Sequence, residues 1–454
     1  MQKPAVRVRM HHFAFFRSAA RKFLPYLRTS LITYLSLQLF ILPVTAWDSG
    51  VIPLLGFFVN AALLPAVPLI LVFGFAGSAA GLFSETCARA ILFPPEMILQ
   101  AADRVTSFLK SIPQGQWICG RPELYQVVLY YISAAAVMTV MKFCLMRKTE
   151  QKDDTLRGTG AEHRTGKRSA LMILCTIPFL LFMLFWRSAP EFSLAMLDVG
   201  QGDALVIRRG DHCYLADGGS SSVPSVGKSR LIPYLCSQGI SVINGIFVSH
   251  DDADHINGLT ELMEEQKENR AVPAVERLFL PCWMRESEEE GAALLRKTAE
   301  EAGIPVYYLQ AGDTISDSGM TIRVLHPLGE GGIREGNSGS MVLDVSWEGF
   351  DALLTGDLET DGEEDILPLS KKYEYYKVSH HGSKNGSSEE LLEQAQPVIS
   401  AVSAPEDSLY GHPHREVLER LEKAGSDIYI TRDCGCITVT VSDGCFRVQT
   451  FKNP

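Results

Sequence analysis

The sequence predicts a multi-pass α-helical membrane domain followed by an α/β domain, a sheet sandwich covered by helices. Three observations lead there. Long apolar runs almost free of charge fill the chain before Pro190, basic residues crowd its first thirty positions, and short apolar stretches such as "FDALLTGD" alternate with helical ones after Pro190. The predicted divisions are a basic lead over residues 1–30, a transmembrane domain over 31–188 and a globular domain over 189–454. A chain of 454 residues has room for two to four domains.

The transmembrane domain is predicted from the lengths of the apolar runs. A bilayer core needs about 20 apolar residues per helix, and Leu31–Trp47, Tyr125–Met146 and Ala170–Trp186 each fit one span. Val51–Phe93 is long enough for two, but prolines and glycines interrupt it, so it holds two helices or a re-entrant pair. Apolar residues at helical spacing over 94–113 predict a helix on the membrane surface or packed across the bundle.

Lysine and arginine predict the orientation of these spans. They are concentrated in the basic lead and in the loop over 147–168. Because loops rich in these residues stay in the cytoplasm, both segments are expected there. The last span then delivers the globular domain to the outside of the membrane.

Charge limits the possible functions of the globular domain. The formal net charge of −11 argues against a general nucleic-acid coat protein, because duplex affinity normally comes from clustered lysine and arginine. It does not exclude a nuclease, since bound cations can supply positive charge locally.

The last residues of the chain predict a β-hairpin. "TVTVSDGCFRVQT" alternates apolar and polar residues around Asp443 and Gly444, a pair typical of a two-residue turn. That register places Cys445 opposite Ser442, so a disulfide within the hairpin is not expected.

Polar residues that can bind metals gather where the predicted strands end. Each of them alone has an ordinary explanation, such as a turn or a helix cap, but together they favour a metal centre. The set comprises Asp217, His250, Asp252, Asp254, His255, Asp357, His380, His381, His412 and His414.

The residue types indicate what such a centre would do. Imidazole suits Zn and Mn, and carboxylates can bridge two cations. Two cations about 3.5–4 Å apart stabilise the attacking and leaving oxygens of an in-line displacement and activate water near neutral pH. We therefore expect two divalent ions, Zn or Mn, at the strand ends.

Five phrases resemble a known family. They are "LDVGQGDA" (197–204), "SHDDADHINGL" (249–259), "LLTGD" (353–357), "VSHHGS" (378–383) and "GHPHREVL" (411–418). Together with "LADGG" they resemble the metallo-β-lactamase fold and, more closely, the hydrolase domain of the ComEC-type competence proteins, the bacterial inner-membrane channels for DNA uptake. The apolar sequence from residue 30 to 71 is similar to the second half of that family's channel domain.

The resemblance implies a metallo-β-lactamase-like αββα sandwich behind a partial competence-type transmembrane domain. It implies a location in the bacterial inner membrane, with the hydrolase domain extracytoplasmic. The implied partners are DNA, as a single strand during uptake, membrane lipids, other competence proteins and a channel half that this chain lacks; an oligomer is compatible with it. The chain is then a fragment of a split gene, a sequence with a mis-assigned start, or a shortened relative.

The sequence departs from the superfamily pattern at two ligand positions. Asp252 replaces the second histidine of the HxHxDH signature, and the histidine that usually precedes the bridging aspartate is absent. The position of this absent histidine has three alternative occupants, Asn337, Ser340 and His326. One metal site is expected to be richer in oxygen and weaker.

Site roles follow from the resemblance and the residue types. His250, Asp252, Asp254, His255 and Asp357 are the expected metal ligands, completed by His380 or His381. His381 is favoured because it directly precedes glycine. The expected orienting residue is Asp217, and Asp203 and Asn337 are further candidates for an outer or third-ligand role.

The expected catalytic residues are Asp254, Ser383, His412 and His414. Water activated by the metals would attack phosphorus, while His412 or His414 binds the phosphate or protonates the leaving group. His414 is predicted at or just before a helix start, which favours anions. The alternative is that the two histidines only cap that helix.

The leading functional hypothesis is a membrane component of DNA uptake whose metal-dependent phosphodiesterase domain processes DNA. A second hypothesis, motivated by the missing histidine, is a DNA-translocation or binding component with an impaired hydrolase fold. A third is a hydrolase of small phosphodiesters or cell-wall lipids, suggested by the acidic run over 286–290. Such runs are more often merely solvated.

Overall fold

A computed structural model describes residues 35–56, 66–110, 115–153, 176–187, 190–268, 272–329 and 334–452, with a few single positions between them. The basic lead, residues 31–34 and 170–175 of the predicted spans, and most of the second basic loop lie outside these residues. The described residues divide between two compact units, drawn from Met1–Thr106 with Arg121–Trp186 and from Ser107–Gly120 with Arg187–Pro454.

The helices begin and end as follows. In chain order they are α1 (35–49), α2 (Val67–Gly81), α3 (Glu85–Lys110), α4 (Leu124–Asp153), α5 (176–185), α6 (Ile232–Ser237), α7 (Ala253–Glu268), α8 (Glu290–Ala302), α9 (Thr360–Ile366), α10 (Glu389–Ala395), α11 (Arg415–Lys423) and α12 (Thr431–Cys434).

The strands are β1 (Val51–Pro53), β2 (Gln116–Ile118), β3 (Phe192–Met196), β4 (Leu205–Arg209), β5 (His212–Ala216), β6 (Val242–Ile243), β7 (Gly245–Phe247), β8 (Ala274–Val275), β9 (Leu278–Pro281), β10 (Val306–Leu309), β11 (Thr314–Asp317), β12 (Met320–His326), β13 (Val342–Trp347), β14 (Phe350–Leu354), β15 (Tyr375–Lys377), β16 (Ile399–Val402), β17 (Asp427–Ile430), β18 (Ile437–Ser442) and β19 (Cys445–Thr450).

Side-chain hydrogen bonds to backbone carbonyls join three helices of the first unit. From α4, the Gln126 amide donates to the carbonyls of Met183 (3.2 Å) and Trp186 (2.7 Å) at the end of α5. The Tyr130 hydroxyl donates to the Leu39 carbonyl in α1 at 2.7 Å. Among the residues described, no helix combines the length and the apolar character needed to cross a membrane.

Helix α3 differs from the prediction. The separate helix expected to start near Pro94 is instead the second part of α3, which runs through Pro94 and Pro95. Proline removes a backbone donor, but its fixed φ is compatible with a helix. The helix therefore loses hydrogen bonds at this point without ending.

Two sheets form the centre of the second unit. The first has the order β10-β9-β7-β5-β4-β3-β18-β19 and the second the order β11-β12-β13-β14-β15-β16-β17. The hairpin β18–β19 has the predicted register, with Ser442 opposite Cys445, and Cys445 is a free thiol.

Alternate residues of the central strands face different layers, as the period of a strand requires. In β3, Leu194 lies in the core between the sheets, whereas Ala195 packs with the layer of α6, α7 and α8. In β14, Leu354 faces the same inner core and Leu353 packs with α10 and α11. Helices therefore cover both outer sides of two facing sheets, and the predicted αββα sandwich is confirmed.

The topology brings several strand ends to one edge. Strand β5 pairs in parallel with β7, and β14, β15 and β16 are parallel neighbours. Because neighbouring parallel strands end at the same side of a sheet, the segments that follow them lie together. These segments carry the predicted metal-binding residues.

The core between the sheets allows a test of the fold. Phe192 is fully buried, with its ring 5.6 Å from the rings of both Trp347 and Phe350. We expect Phe192→Ala to lower the free energy of unfolding by about 3–5 kcal/mol, because a cavity opens between the sheets. Phe451→Ala, at a side chain 84% exposed, should change it by less than about 0.5 kcal/mol. Denaturant titrations of both variants measure this, and equal midpoints would contradict it.

Candidate metal centre

Asp217, directly after β5, fixes the histidine-rich turn. One carboxylate oxygen accepts the backbone N–H of Ser249 at 2.7 Å, and the other lies 2.9 Å from Nδ1 of His255. Nδ1 of His255 therefore carries the donated hydrogen, which leaves Nε2 to face inward. Asp217 thus lies where it can orient the His255 ring.

Glycine lets the chain after Asp217 come close to this turn. A Cβ on Gly219 would lie 2.5 Å from backbone atoms of Asp254 and His255. Only a residue without a side chain fits there. The "DGG" phrase is therefore needed for the close approach of β5 to the start of α7.

Three imidazoles converge on one oxygen of Asp357. Its Oδ2 lies 3.3 Å from Nε2 of His255, 3.2 Å from Nε2 of His381 and 3.7 Å from Nε2 of His380. Asp254 approaches from the other side of His381, 3.7 Å from the same Nε2. His380 and His381 both have positive φ, 49° and 54°, a strained conformation that costs of order 1–3 kcal/mol each.

The inward-facing nitrogens have no protein partner of good geometry. Among the described residues, Nε2 of His250, His255 and His381 is buried without a hydrogen-bond partner, while Nδ1 of His381 lies 3.1 Å from the Ser403 carbonyl. An unsatisfied buried polar group costs about 1–3 kcal/mol. Three such nitrogens beside a carboxylate fit a bound cation.

His250 and Asp252 extend the group towards solvent. The buried His250 ring lies 4.2 Å from that of His255, and its Nε2 is 3.4 Å from the Asp252 carboxylate, which is 59% exposed. Ligand-type atoms of His250 and Asp252 thus adjoin the pair formed by His255 and Asp357. This arrangement suits two cations that share a carboxylate.

Asp203 lies behind the histidines. Candidate ligand atoms of Asp203, His255, Asp357 and His381 are all within 4.8 Å of one another. Asp203, however, approaches Nδ1 of His255 (3.8 Å) and Nδ1 of His381 (3.7 Å), the nitrogens already engaged by Asp217 and Ser403. Its place is therefore that of an orienting group and not of a ligand that shares a cation with Nε2.

Lys377 was not among the residues predicted from the sequence. Its side chain is 1% exposed, forms an ion pair with Asp203, lies 3.3 Å from Oδ1 of Asp357 and donates to the Gly356 carbonyl at 2.6 Å. By holding Oδ1, Lys377 leaves Oδ2 of Asp357 for the imidazoles. The only signal in the sequence was a charged residue in the otherwise apolar "YYKV".

Opposite charges set the protonation states of this group. Burial alone would raise the pKa of Asp357, but His381, His255 and Lys377 hold that pKa well below its usual range. Burial alone would lower the pKa of His255, but Asp357 and Asp217 raise it well above the ordinary value. Both shifts favour the ion pair between the His255 ring and its two carboxylates.

A second histidine group lies beside the first. The His412 ring, 6% exposed, is 5.7 Å from that of His380, 6.4 Å from that of His381 and 5.0 Å from that of His414. Burial, with the nearby His380, His381 and His414, lowers the pKa of His412 to about 4. His412 is therefore neutral near pH 7. Its remaining N–H can donate a hydrogen bond, but the ring lacks the second proton that would make it a general acid.

His414 is the N-cap residue of α11, as expected, yet its side chain makes no capping hydrogen bond. Its backbone N–H donates to the Gly382 carbonyl at 2.9 Å. Its Nδ1 is buried without a hydrogen-bond partner among the described residues. Capping therefore does not explain this imidazole.

The remaining candidates lie in neighbouring turns. Ser383 accepts the Asn385 N–H at 3.4 Å, and the Asn337 carbonyl accepts the Ser340 N–H at 3.0 Å. Nδ1 of His326 is 2.8 Å from the Ser340 carbonyl, and its Nε2 is 3.5 Å from Asp365. His326 is thus turned towards Asp365.

Comparisons with known proteins match two separate parts of the chain. A family model described as the metallo-beta-lactamase superfamily matches residues 197–405, and one described as competence protein matches residues 11–143. ComE operon protein 3 from Bacillus subtilis is 31% identical over 297 residues, which are 62% of this chain and 36% of that protein. Recombination protein 2 from Haemophilus influenzae is 29% identical over 283 residues, 62% of this chain and 32% of that protein.

The chain therefore spans about a third of the length of these relatives. The crystal structure of the metallo-beta-lactamase fold protein YhfI from Bacillus subtilis aligns with a TM-score of 0.35 and 12% identity, over 52% of this chain and 96% of that one. With a competence segment followed by a metallo-β-lactamase domain, the chain is similar in its order of domains to the ComEC-type competence proteins.

Proposed function

We propose that the chain is part of a DNA-uptake protein of the bacterial inner membrane and that its second unit is a metal-dependent phosphodiesterase acting on single-stranded DNA. The observation that carries the proposal is the convergence of the buried, unpartnered Nε2 atoms of His255 and His381 on Oδ2 of Asp357. A charged, buried and unsatisfied group of this kind has little structural value without a ligand. The competence segment supports DNA as the substrate.

The expected ligands fit divalent cations of the Zn or Mn type. His250, Asp252, Asp254, His255, Asp357 and His381 would hold them. Once bound, the cations would supply Lewis acidity at the phosphate and lower the pKa of water. The chain supplies the rest: Asp217 and Lys377 orient His255 and Asp357, and the neutral His412 donates a hydrogen bond to a phosphate oxygen. His414 protonates the departing oxygen.

The membrane location rests on the sequence pattern and the family. The competence segment covers residues 11–143, which include the predicted membrane segments 31–47 and 51–93 and most of 125–146. Under this proposal the domains divide at residues 30 and 188, and the phosphodiesterase lies outside the cytoplasm. Membrane lipids, other competence proteins and the rest of the channel would then be its neighbours.

One observation favours a second function, DNA translocation or binding without useful catalysis. The histidine expected before Asp357 is absent. Ser340 lies in that region, buried, with its Oγ unpartnered among the described residues. A weaker cation site near Ser340 would reduce turnover and leave DNA binding intact.

The metal centre is tested by Asp357→Asn. This variant keeps the shape of the side chain but removes the shared charge, so we expect it to lose bound metal and cleavage of a single-stranded oligonucleotide. Asp252→Ala, at a side chain 59% exposed, should weaken both without affecting folding. Asp361→Asn, an exposed aspartate paired with Arg334, is the matched control.

Elemental analysis of the purified full chain and a nuclease assay measure these effects. If Asp357→Asn kept its metal and turnover, the centre would be wrongly assigned. If the wild type bound metal and DNA but cleaved neither DNA nor a small phosphodiester, the second function would be correct.

Lys377→Met tests whether the buried ammonium positions Asp357. Because Asp203 is left buried without its partner, the free energy of unfolding should fall by about 3–5 kcal/mol, and metal affinity should fall about 10- to 100-fold. The double variant Lys377→Met with Asp203→Asn should recover much of the stability. Lys423→Met, at a lysine 68% exposed that pairs with the exposed Glu389, is the control and should cost about 0–1 kcal/mol. Unchanged metal affinity in Lys377→Met would rule out the positioning role.

The roles of His412 and His414 are separated by the leaving group. His414→Ala should lower kcat on DNA by about 10²–10⁴-fold, the usual effect of losing a general acid. The loss should be much smaller on bis(p-nitrophenyl) phosphate, because its leaving group, p-nitrophenolate, departs without a proton. His412→Ala should slow both reactions, because both substrates present phosphate oxygens. Metal content should stay unchanged in both variants. Equal losses on the two substrates for His414→Ala would exclude it as the acid.

A further inference from the structure

A short loop holds an exposed aromatic ring beside the second histidine group. Three hydrogen bonds anchor the loop: Gly411 N–H to the Ser408 carbonyl (3.1 Å), His412 N–H to the Ser408 hydroxyl (3.0 Å) and His414 N–H to the Gly382 carbonyl (2.9 Å). The last bond ties the loop to the turn that carries His380 and His381. The loop is therefore fixed relative to the centre.

Tyr410 stands at the tip of this loop. Its side chain is 65% exposed, and its ring lies 5.7 Å from the His412 ring with an interplanar angle of 27°. His412 in turn lies 6.4 Å from His381, so a single ring separates Tyr410 from an expected ligand. One face of Tyr410 is stacked on His412, and most of the side chain remains open to solvent.

Packing in a core does not explain why an aromatic residue lies at position 410, because most of its side chain is exposed. Scattered exposed apolar side chains are common, but this ring is fixed in a stack that leads to the centre, and its neighbour Leu409 is 97% exposed. The same loop carries Glu406 and Asp407, both exposed. These carboxylates repel phosphates, so the loop suits an uncharged planar group and not the backbone of a nucleic acid.

We propose that Tyr410 is a stacking platform for an unpaired nucleobase next to the scissile phosphate. The inference rests on the proposed function and adds the residue on which a base of the single-stranded substrate would lie. In a duplex the neighbouring bases cover both faces of each base, so only an unstacked base can lie on Tyr410. Aromatic stacking of this kind changes affinity by about 10-fold or more per base and tolerates any base.

The test compares two substrates that differ only in their bases. One is a single-stranded oligonucleotide, and the other is the same strand with abasic sugars around the cleavage position. The wild type should have a KM about 10-fold lower for the strand with bases. Tyr410→Ala should lose this preference, whereas Tyr410→Phe, which keeps the ring, should retain it. Tyr307→Ala, at another exposed tyrosine of the same unit, is the matched control and should also retain the preference.

Binding gives a second measurement that needs no turnover. An oligonucleotide with 2-aminopurine at the position next to the cleavage site should lose fluorescence on binding to the wild type and to Tyr410→Phe, but not to Tyr410→Ala. A preference and a quench that survive in Tyr410→Ala would overturn the platform. If the wild type cleaved neither strand, the phosphodiesterase proposal would fail, and the quench alone would decide whether Tyr410 stacks on a base.

Discussion

The centre depends on one buried ion pair network, in which Lys377 lies between the carboxylates of Asp203 and Asp357. Asp203 precedes β4 of the first sheet, and Lys377 ends β15 of the second. The lysine therefore joins the sheets at the edge where the ligands meet. A buried ammonium has a large desolvation cost, and its two carboxylates and one carbonyl offset it. Without these three partners, Lys377 could not stay charged at the buried end of β15. Asp357 would then lose the contact that fixes its carboxylate.

Two of the imidazoles follow the same principle, since a second group holds the ring nitrogen that points away from Asp357. Asp217 engages Nδ1 of His255, and the Ser403 carbonyl engages Nδ1 of His381. Both rings thus turn Nε2 towards Asp357. A histidine held in this way is fixed in tautomer and direction before any cation arrives. Because the holding groups come from both sheets, the fold itself determines the geometry of the centre.

The sequence predicted the sandwich well because its strands alternate and end on glycine or polar residues, and the hairpin register of Ser442 and Cys445 follows directly from its turn. The histidine and aspartate clusters could be predicted because short spacing places them on single turns. Lys377 could not, since what makes it important is its pairing with Asp203, a residue far away in the chain. The continuation of α3 through Pro94 was also missed, because a local rule for proline does not include the context that maintains a helix.

The wide separation of the parts of the centre along the chain has a consequence for biosynthesis. Asp203 and Asp217 belong to the first strands of the second unit, while His381, His412 and His414 come more than 150 residues later. The first half of this unit carries the turn with His250 and His255, but Asp357 and His381 come from the second half. No complete cation site therefore exists until the last parallel strands have formed. Under the proposed function, any hydrolytic activity of the emerging polypeptide would therefore begin only when the second sheet has formed.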